Sequence, residues 1–350
     1  MDITSADSAA HPALCRFAAK AIRKRLRALA KEQAGAREAH DPECVHRMRV
    51  ATRRLNVALN QFAPCFPERQ FKRWHAALRR LRQALGDARD FDVQILFLEA
   101  LLPTKALAAE AGDPGEDAAG VQREHVPGVV RVLLRKRQRR ERLQKDVIRA
   151  LDRFEDDDIL HGVRAGLLAI HDSDEADESP AYSTRDLIAV AGLAIQERLD
   201  ELLHWERFVD DPEQIDQHHE MRIAAKHLRY TLELFAPLYT GELEPEIAVC
   251  KECQELLGNI HDADVWIQLL PKFIDRERQR TVDYHGHLKP MDALLPGLRW
   301  LEQRCRTART EQFVAFQQLW RRCRDERIWE RLSDHVIRTE STSDPAAPTA

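Results

Sequence analysis

Apolar residues recur every three or four positions along most of the chain, which is the spacing of amphipathic helices. Alternating β-branched and polar residues, which are typical of strands, are missing. Proline and glycine divide the pattern into separate predicted helices. These lie near 13–34, 43–63, 68–85, 90–102 and 121–155, and then near 182–208, 213–236, 244–257, 262–275 and 290–330. The sequence therefore predicts an all-α fold.

A stretch of the sequence occurs twice at a constant spacing. Residues 46–64 read HRMRVATRRLNVALNQFAP and residues 219–237 read HEMRIAAKHLRYTLELFAP, with nine of nineteen residues shared. A second block follows at nearly the same offset, LGDARDFDV at 85–93 and LGNIHDADV at 257–265. Two matched blocks predict a tandem duplication, with two four-helix-type bundles related by pseudo-twofold symmetry. We expect the repeats over 11–155 and 181–338, an acidic linker at 156–180, and disordered ends at 1–10 and 339–350.

The ends of the predicted helices are marked in both repeats. Asp-Pro-Glu at 41–43 and again at 211–213 supplies an N-cap, a proline at the first helical position and an early acid. Pro64 and Pro237 close the repeated helix, since proline lacks the backbone donor. Gly86 and Gly258 predict a left-handed cap that ends the next helix.

The repeated helix has two different faces on a helical projection. Its core face holds Met48, Ala51, Leu55, Ala58, Leu59 and Phe62, matched by Met221, Ala224, Leu228, Thr231, Leu232 and Phe235. Its opposite face carries His46, Arg49, Arg53 and Asn56, matched by His219, Arg222, Lys226 and Arg229. Val50, Val57, Ile223 and Tyr230 flank this polar face, as if the helix were covered on two sides. We therefore expect the two helices to face each other and to enclose a basic cleft.

Composition and charge narrow the possible functions. The chain has 350 residues, of which 44% are hydrophobic, so it can bury a large core and is not wholly disordered. Its formal net charge of −4 argues against a protein that coats nucleic acid. The charge is nevertheless segregated, because residues 44–92 and 131–153 each carry +7, whereas 155–178 hold nine acids and one arginine. This layout predicts a localised anion site.

The cysteines and the apolar runs indicate a cytoplasmic protein with no membrane partner. The seven cysteines show neither a disulfide framework nor paired zinc spacing, and Cys250 and Cys253 are expected in the core. The N-terminus has no signal-peptide pattern, and no stretch approaches the roughly 20 apolar residues of a membrane span.

The cationic rows have the chemistry of a phosphate-binding surface. Arginine presents a planar fork to phosphate oxygens, and lysine adds a point charge. Each row spans roughly 15 Å at 1.5 Å per residue, which suits an extended polyanion better than one phosphate. Further contacts are expected from the matched pairs Arg79 with Lys251 and Arg89 with His261. Additional contacts can come from Arg54 and, on the long Arg-rich helix, from Arg135, Arg139 and Arg142.

The repeated acids leave an enzymatic alternative open. A metal-dependent phosphohydrolase or phosphotransferase would use the two DxD pairs, Asp90 with Asp92 and Asp262 with Asp264, together with His46 or His219. Helix capping, or the orientation of a nearby arginine, also accounts for these acids, and we prefer that interpretation. We therefore expect neither a metal nor another cofactor.

Two further alternatives have less support. Histidine-based signalling or metal chelation would need a ligand set, but the fifteen histidines form no recognised motif. Nucleic-acid binding would need aromatic residues interleaved with the basic stripes to stack bases, and these are missing.

These residues resemble the CHAD family, the conserved histidine α-helical domain. The resemblance covers about residues 12–335 and rests on HxMRxAxRxL at 46–55, HxMRxAxKxL at 219–228 and the LGxxRD and LGxxHD blocks. It implies paired four-helix bundles around a basic pore that binds inorganic polyphosphate without catalysis, and association with polyphosphate granules. The pore residues it implies are His46, Arg49, Arg53, His219, Arg222, Lys226, Arg229 and Lys251.

The sequence also departs from a symmetric pore. Asn56 stands where the second repeat has Arg229, and His227 stands where the first has Arg54, so the two sides are expected to contribute unequally. Many family members carry a CYTH-type triphosphate-processing domain, for which these 350 residues leave no room. Hydrolase activity is therefore not implied, and no protein partner is indicated.

Overall fold

The computed structural model describes residues 12–38, 41–102, 122–174 and 184–341, and the regular structure of these residues is helical. The ten α-helices in this part of the chain are α1 (Pro12–Glu38), α2 (Pro42–Gln61), α3 (Glu68–Leu101), α4 (Val126–Asp156), α5 (Ile159–Asp174), α6 (Thr184–Leu203), α7 (Ile215–Phe235), α8 (Glu244–His285), α9 (Leu295–Asp325) and α10 (Ile328–Ser341). No strand occurs in the described ranges. The predicted all-α fold class is confirmed.

Helices that follow one another in the sequence also pack together. α1 packs on α2, α2 on α3 and α3 on α4, and α5 closes this bundle by packing on α1. Helices α6 to α9 follow in the same order, and α10 packs back on α6. The order of packed helices is thus the same in both halves. The duplication itself and its pseudo-twofold axis stay predictions from the sequence repeat.

One hydrophobic core extends through both halves. Phe17 of α1 and Phe62 at the end of α2 pack on Phe235 of α7, with ring centroids 5.9 and 6.0 Å away. Between the two bundles, α2 and α7 contact each other. A smaller core joins the far ends of α3, α4, α8 and α9, where Val129 and Leu298 are fully buried. Two separate hydrophobic cores therefore join the halves, and each contains residues of both.

The smaller core contains a close crossing of α4 and α9 at two glycines. A Cβ atom added at Gly128 would overlap the carbonyl oxygen of Leu294, and one added at Gly297 would overlap that of His125. Since both obstacles are backbone atoms, no side-chain rotation could relieve the overlap. Each glycine follows a proline, in VPG at 126–128 and LPG at 295–297. The repeated Pro-Gly pair therefore marks, in the sequence, the place where α4 and α9 cross.

The two faces predicted for the repeated helix are present in α2 and α7. All twelve predicted core residues are buried, from Met48 to Phe62 and from Met221 to Phe235. The carboxylate of Asp41 caps α2 by accepting a 2.9 Å hydrogen bond from the backbone N–H of Glu43. Asp211 makes the matching bond to Glu213, but α7 begins only at Ile215, so the predicted helix start at 213 is wrong.

The predicted helix ends at Gly86 and Gly258 are also wrong. α3 and α8 continue through these glycines as single helices of 34 and 42 residues. A glycine inside a helix costs only about 1 kcal/mol relative to alanine. The buried residues on either side, such as Leu85 and Ala88 in α3, stabilise the continuous helix by more than that.

The stretch predicted as an acidic linker contains helix α5 over residues 159–174. Ile159, Val163 and Leu167 recur every four residues and are buried in the main core. This apolar stripe outweighs the run of acids at 155–158, which precedes the helix. Residues 1–10 and 175–180 lie outside the described ranges, as do 342–350 of the predicted tail, whereas 339–341 belong to α10. None of the described helices combines the length and apolar character needed to cross a bilayer.

Candidate functional site

A polar cleft of about 710 Å³ lies where α2 and α7 face each other. Five cationic side chains line it, Arg49, Arg53, Arg82, Arg198 and Lys226. Glu197 is the acidic residue among its lining side chains, and it lies against Arg198 at 3.1 Å. We call this space the central cleft. The structure thus brings cations from α2, α3, α6 and α7 together at the boundary between the two halves.

Tyr230 on α7 connects the two walls of the central cleft. Its hydroxyl accepts a 3.1 Å hydrogen bond from Nη1 of Arg53 on α2, and the guanidinium of Arg53 is 5.8 Å from the ring centroid. The guanidinium of Arg229 lies 4.7 Å over the same ring, with Glu233 3.8 Å from its Nε. Arg229 was predicted to line the cleft, but it is held against Tyr230 and is not among the lining residues.

Arg49 lines the inner end of the central cleft, and its equivalent Arg222 lies beside that end, near Arg53, without being among the lining residues. The Nε of each is buried and has no hydrogen-bond acceptor among the described residues. Each packs near the glycine of the next helix, so a Cβ added at Gly86 or Gly258 would lie 3.8 or 3.6 Å from the Nε of that arginine. Nη2 of Arg49 is 3.9 Å from Asp90. Burial, and then the neighbouring Arg53, lower the pKa of both guanidinium groups. Both side chains are partly exposed, so the guanidinium groups can turn their N–H donors toward an acceptor that comes close.

Lys226 completes the cationic wall on α7. Burial lowers its pKa to about 7, and repulsion from Arg53 and Arg222 acts in the same direction. An ordinary lysine is fully charged at neutral pH, with a pKa near 10.5. The charge on Lys226 is therefore sensitive to any anion that enters the central cleft.

The two equivalent histidines of the repeat, His46 and His219, do not line the central cleft. Burial, and then Arg89, lower the pKa of His46, whose Nδ1 is buried without an acceptor among the described residues. His219 contacts His261, with 3.2 Å between the two Nδ1 atoms, and burial lowers the pKa of His261 to about 4. Arg89 and His261 thus stand beside these histidines and do not line the central cleft as predicted, and Arg89 lies 3.3 Å from Glu43. Uncharged histidines can accept or donate a hydrogen bond at this place.

Several predicted contacts lie elsewhere. Arg79 and Lys251 are exposed on α3 and α8 and do not line the central cleft, and Lys251 is 3.9 Å from Glu255. Arg54 is held by Glu233 of α7, whose carboxylate accepts from its Nε at 3.1 Å. The three predicted residues of α4, Arg135, Arg139 and Arg142, line a separate groove between α4 and α8.

The DxD acids divide into two kinds. Asp92 and Asp264 are buried and pair with an arginine of the following long helix, Arg140 in α4 and Arg309 in α9. They orient these arginines, which is one of the two roles that the sequence suggested. Asp90 lies beside Arg49. Within the described residues, no three His, Cys, Asp or Glu side chains come together as metal ligands. Cys250 and Cys253 are buried in the core, as predicted.

Arg82 and Arg198 line the central cleft but were missed by the sequence analysis. Arg82 lies one helical turn after Arg79 and one turn before Gly86, so the spacing along α3 placed it on the cleft side. Arg198 has a counterpart in Arg25, because AIRKRLRAL at 21–29 matches AIQERLDEL at 194–202 at the offset of the main repeat. Searching for that third repeated block would have identified the arginine on α6.

The two sides of the boundary between α2 and α7 differ at the central cleft. On the first side, Arg54 and Glu233 close the boundary between α2 and α7 with an ion pair. The equivalent positions on the second side are His227 and Asn60, and both line the cleft. His227 pairs with Glu201 of α6, 3.0 Å away, and not with a residue of α2. The predicted inequality of the two sides therefore has a structural cause.

Comparison with known proteins agrees with this arrangement. A sequence profile of the CHAD domain matches residues 20–271. The crystal structure of the CHAD domain from the plant Ricinus communis is similar, with a TM-score of 0.57 and 20% identity over 91% of this chain and 94% of that chain. PptA from Streptomyces chartreusis gives a TM-score of 0.54 and 15% identity over 88% and 99%. At such identities these structures show a common fold alone. No curated protein matches the chain.

Proposed function

Because the chain belongs to the CHAD domain family, we propose that it binds inorganic polyphosphate in the central cleft, without catalysing a reaction. The observation that carries this proposal is the pair Arg49 and Arg222, whose buried Nε donors have no acceptor among the described residues. Leaving a buried donor unpaired costs about 1–3 kcal/mol. A phosphate chain would supply acceptor oxygens to both groups at once and recover that cost.

The shape of the cationic surface favours an extended ligand. Arg49 and Arg53 follow each other by one turn on α2, and Arg222 and Lys226 do so on α7, so charge continues along both walls. Arg82 and Arg198 add two more cations to the central cleft from α3 and α6. A single phosphate would satisfy one part of this surface, whereas a chain with a charge on every unit neutralises several cations together.

A binding module is the role that fits such a site. The buried acids of the two DxD pairs, Asp92 and Asp264, are engaged by Arg140 and Arg309 and do not line the cleft. The protein would act by attaching itself, or whatever it is joined to, to polyphosphate in the cytoplasm, including polyphosphate granules. Targeting and scaffolding need affinity for the chain and no chemistry on it.

Titration with polyphosphate chains of graded length, at two salt concentrations and beside orthophosphate, tests the proposal. Binding should tighten with chain length and weaken with salt, because each neutralised phosphate releases counterions. The double variant Arg49→Glu/Arg222→Glu should abolish binding. Arg49→Gln/Arg222→Gln, which adds no negative charge, should weaken it strongly with the helical content unchanged by circular dichroism.

Arg299→Glu/Arg321→Glu is the matched control, since both arginines are exposed on α9 and neither lines the central cleft. It should keep nearly the full affinity. Equal losses in the control and cleft variants would show that general charge, and not this cleft, holds the ligand. No binding at any chain length would overturn the proposal. Phosphate release that needs Mg²⁺ or Mn²⁺ and disappears in Asp92→Asn would show a metal-dependent hydrolase instead.

A further inference from the structure

A second basic surface lies outside the central cleft, in a groove of about 550 Å³ between α4 and α8. From α4 it is lined by Arg135, Lys136, Arg139 and Arg142, and from α8 by Lys272, Arg276 and Arg280. No acidic residue is among its lining side chains. The buried Glu277 pairs with Arg135 and Arg280 at its edge, which leaves the remaining five cations without a described carboxylate. We call this surface the α4–α8 groove.

Lys136 is an unusual residue at the base of the α4–α8 groove. It is only 6% exposed and makes no ion pair or hydrogen bond with any described residue. Its ammonium lies 5.2 Å from the ring centroid of Phe91 and 5.0 Å from that of Trp266. Burial lowers its pKa to about 8. A buried ammonium held by two rings alone is costly, and an anion in the groove would offset that cost.

The other half of the chain shows that the fold does not require a lysine there. Asp92–Arg140 and Asp264–Arg309 are equivalent pairs, and the alignment they fix places Cys305 opposite Lys136. Cys305 is 2% exposed, so an ordinary small core residue fits at this position. The lysine is therefore a feature of the α4–α8 groove and not of the packing.

Most of the other groove cations also lack a cationic counterpart in the other half, although Arg304 stands opposite Arg135. In the same alignment Ala308 and Glu311 stand for Arg139 and Arg142, and Ala100 stands for Lys272. Among the described residues, the full set of cations is therefore found in the α4–α8 groove and is not repeated by the equivalent positions 305, 308 and 311 of α9. Neither the sequence repeat nor the packing of the core accounts for these cations. Their position points to a ligand that extends from the central cleft on this side of the molecule.

The α4–α8 groove begins close to the inner end of the central cleft. Phe91, which lines the groove, directly follows Asp90, and Asp90 is 3.9 Å from Arg49. On α8, Val265 lines the groove three residues after Asp262, which acts on Arg222. From Val265 to Arg280 the groove face of α8 continues for about 22 Å at 1.5 Å per residue.

We propose that the α4–α8 groove is a second polyphosphate-binding segment, which holds the part of a long chain that extends beyond the central cleft. This inference rests on the proposed function of that cleft. It predicts that Arg139 and Arg276 matter for long chains alone. Both are exposed and make no described ion pair, so their removal should leave the fold unchanged.

The test compares Arg139→Ala/Arg276→Ala with the wild type, using a short polyphosphate oligomer and a long chain. Loss of two cation–phosphate contacts should weaken long-chain binding roughly tenfold. It should also reduce the slope of log affinity against log salt concentration by about one to two. Short-oligomer binding should stay within about twofold of the wild type. Arg299→Ala/Arg321→Ala removes the same charge outside both surfaces and should change neither.

The outcomes separate the two proposals. If Arg49→Gln/Arg222→Gln weakens all chains while the groove variant matches its control, the groove proposal is wrong and the central site stands. If the groove variant lost affinity equally for short and long chains, the groove proposal would also be wrong. The groove would then act through its overall positive charge and not by contacting the extended chain. If the wild type binds no polyphosphate, both proposals fail together.

Discussion

Arg53 of α2 donates a 3.1 Å hydrogen bond to the hydroxyl of Tyr230 on α7, across the boundary between the two halves. The bond holds a guanidinium at the wall of the central cleft. Its partner is buried, with 2% of Tyr230 exposed, so the contact has little competition from water. Val57 stands at the equivalent position of the first half and offers no such acceptor. This support therefore acts on one side of the site.

Tyr230→Phe should lower polyphosphate affinity without unfolding the protein. The change removes the acceptor for Arg53 and keeps the ring under Arg229, which isolates the orienting hydrogen bond. We expect a loss of about three- to tenfold, from the 0.5–1.5 kcal/mol of a typical hydrogen bond. Isothermal titration with a fixed chain length measures it. Tyr284→Phe, at a residue that is 85% exposed, is the control. Unchanged affinity in Tyr230→Phe would mean that Arg53 needs no orientation.

Lys226→Met should remove a pH dependence of binding. In the free protein Lys226 has a pKa of about 7, and a phosphate chain favours its charged form, so binding takes up a proton above that pH. Wild-type affinity should be fully present below pH 7 and should fall as the pH rises through and beyond 7. The variant should bind more weakly at pH 7 and show a flatter profile. Lys145→Met, at an exposed residue, should keep the wild-type slope. Parallel profiles for Lys226→Met and the wild type would contradict the assignment.

Lys136→Met should raise the free energy of unfolding at neutral pH. The side chain keeps its length and loses a charge whose burial lowers the pKa from 10.5 to about 8. That shift corresponds to at most about 3 kcal/mol. Between pH 8 and 10.5 the unfolded wild type binds more protons than the folded one, so wild-type stability rises with pH and the difference from the variant narrows. Denaturant unfolding at neutral and alkaline pH measures this, with Lys145→Met as control. A less stable variant at neutral pH would show that the ammonium supports the fold.

Gly128→Ala and Gly258→Ala should have opposite effects on stability. The new methyl at 128 would overlap the backbone of α9, and separating the helices should cost about 1–3 kcal/mol or more. At 258 the methyl meets Arg222 at an ordinary 3.6 Å, inside a helix where alanine is preferred by about 0.5–1 kcal/mol. Thermal unfolding of the two variants gives the comparison. Equal stabilities would contradict the close crossing of α4 and α9.

The sequence predicted the parts of the site that follow from a single helix. A period of 3.6 residues fixes which side chains of α2 share a face, so Arg49 and Arg53 were placed correctly beside each other. The repeat then supplied Arg222 and Lys226. Arg229 lies on the same face by this geometry, but its direction depends on Tyr230 and Glu233, which a helical projection does not describe.

The errors came from weak local signals that tertiary packing overrides. Gly86 and Gly258 were interpreted as helix ends, although the burial of neighbouring leucines carries the helix past them. The acidic composition around α5 led to the prediction of a linker. Three apolar residues at a spacing of four, Ile159, Val163 and Leu167, are nevertheless enough to pack this helix on the core. Arg82 and Arg198 come from other helices, and their convergence on the central cleft depends on how α3 and α6 pack against α2 and α7.

The packing of Phe17 and Phe62 against Phe235 has a consequence for how the protein is made. Arg53 and Tyr230 are 177 residues apart, and the aromatic cluster closes a similar distance, so neither can form until α7 has left the ribosome. Until then the first half exposes both phenylalanines and a row of cations with no facing wall. Contacts this distant in sequence form late, since closing a long loop costs entropy before they stabilise it. The nascent first half therefore has the charges of the proposed site but no facing wall, and the cleft can form only after α7 has been made.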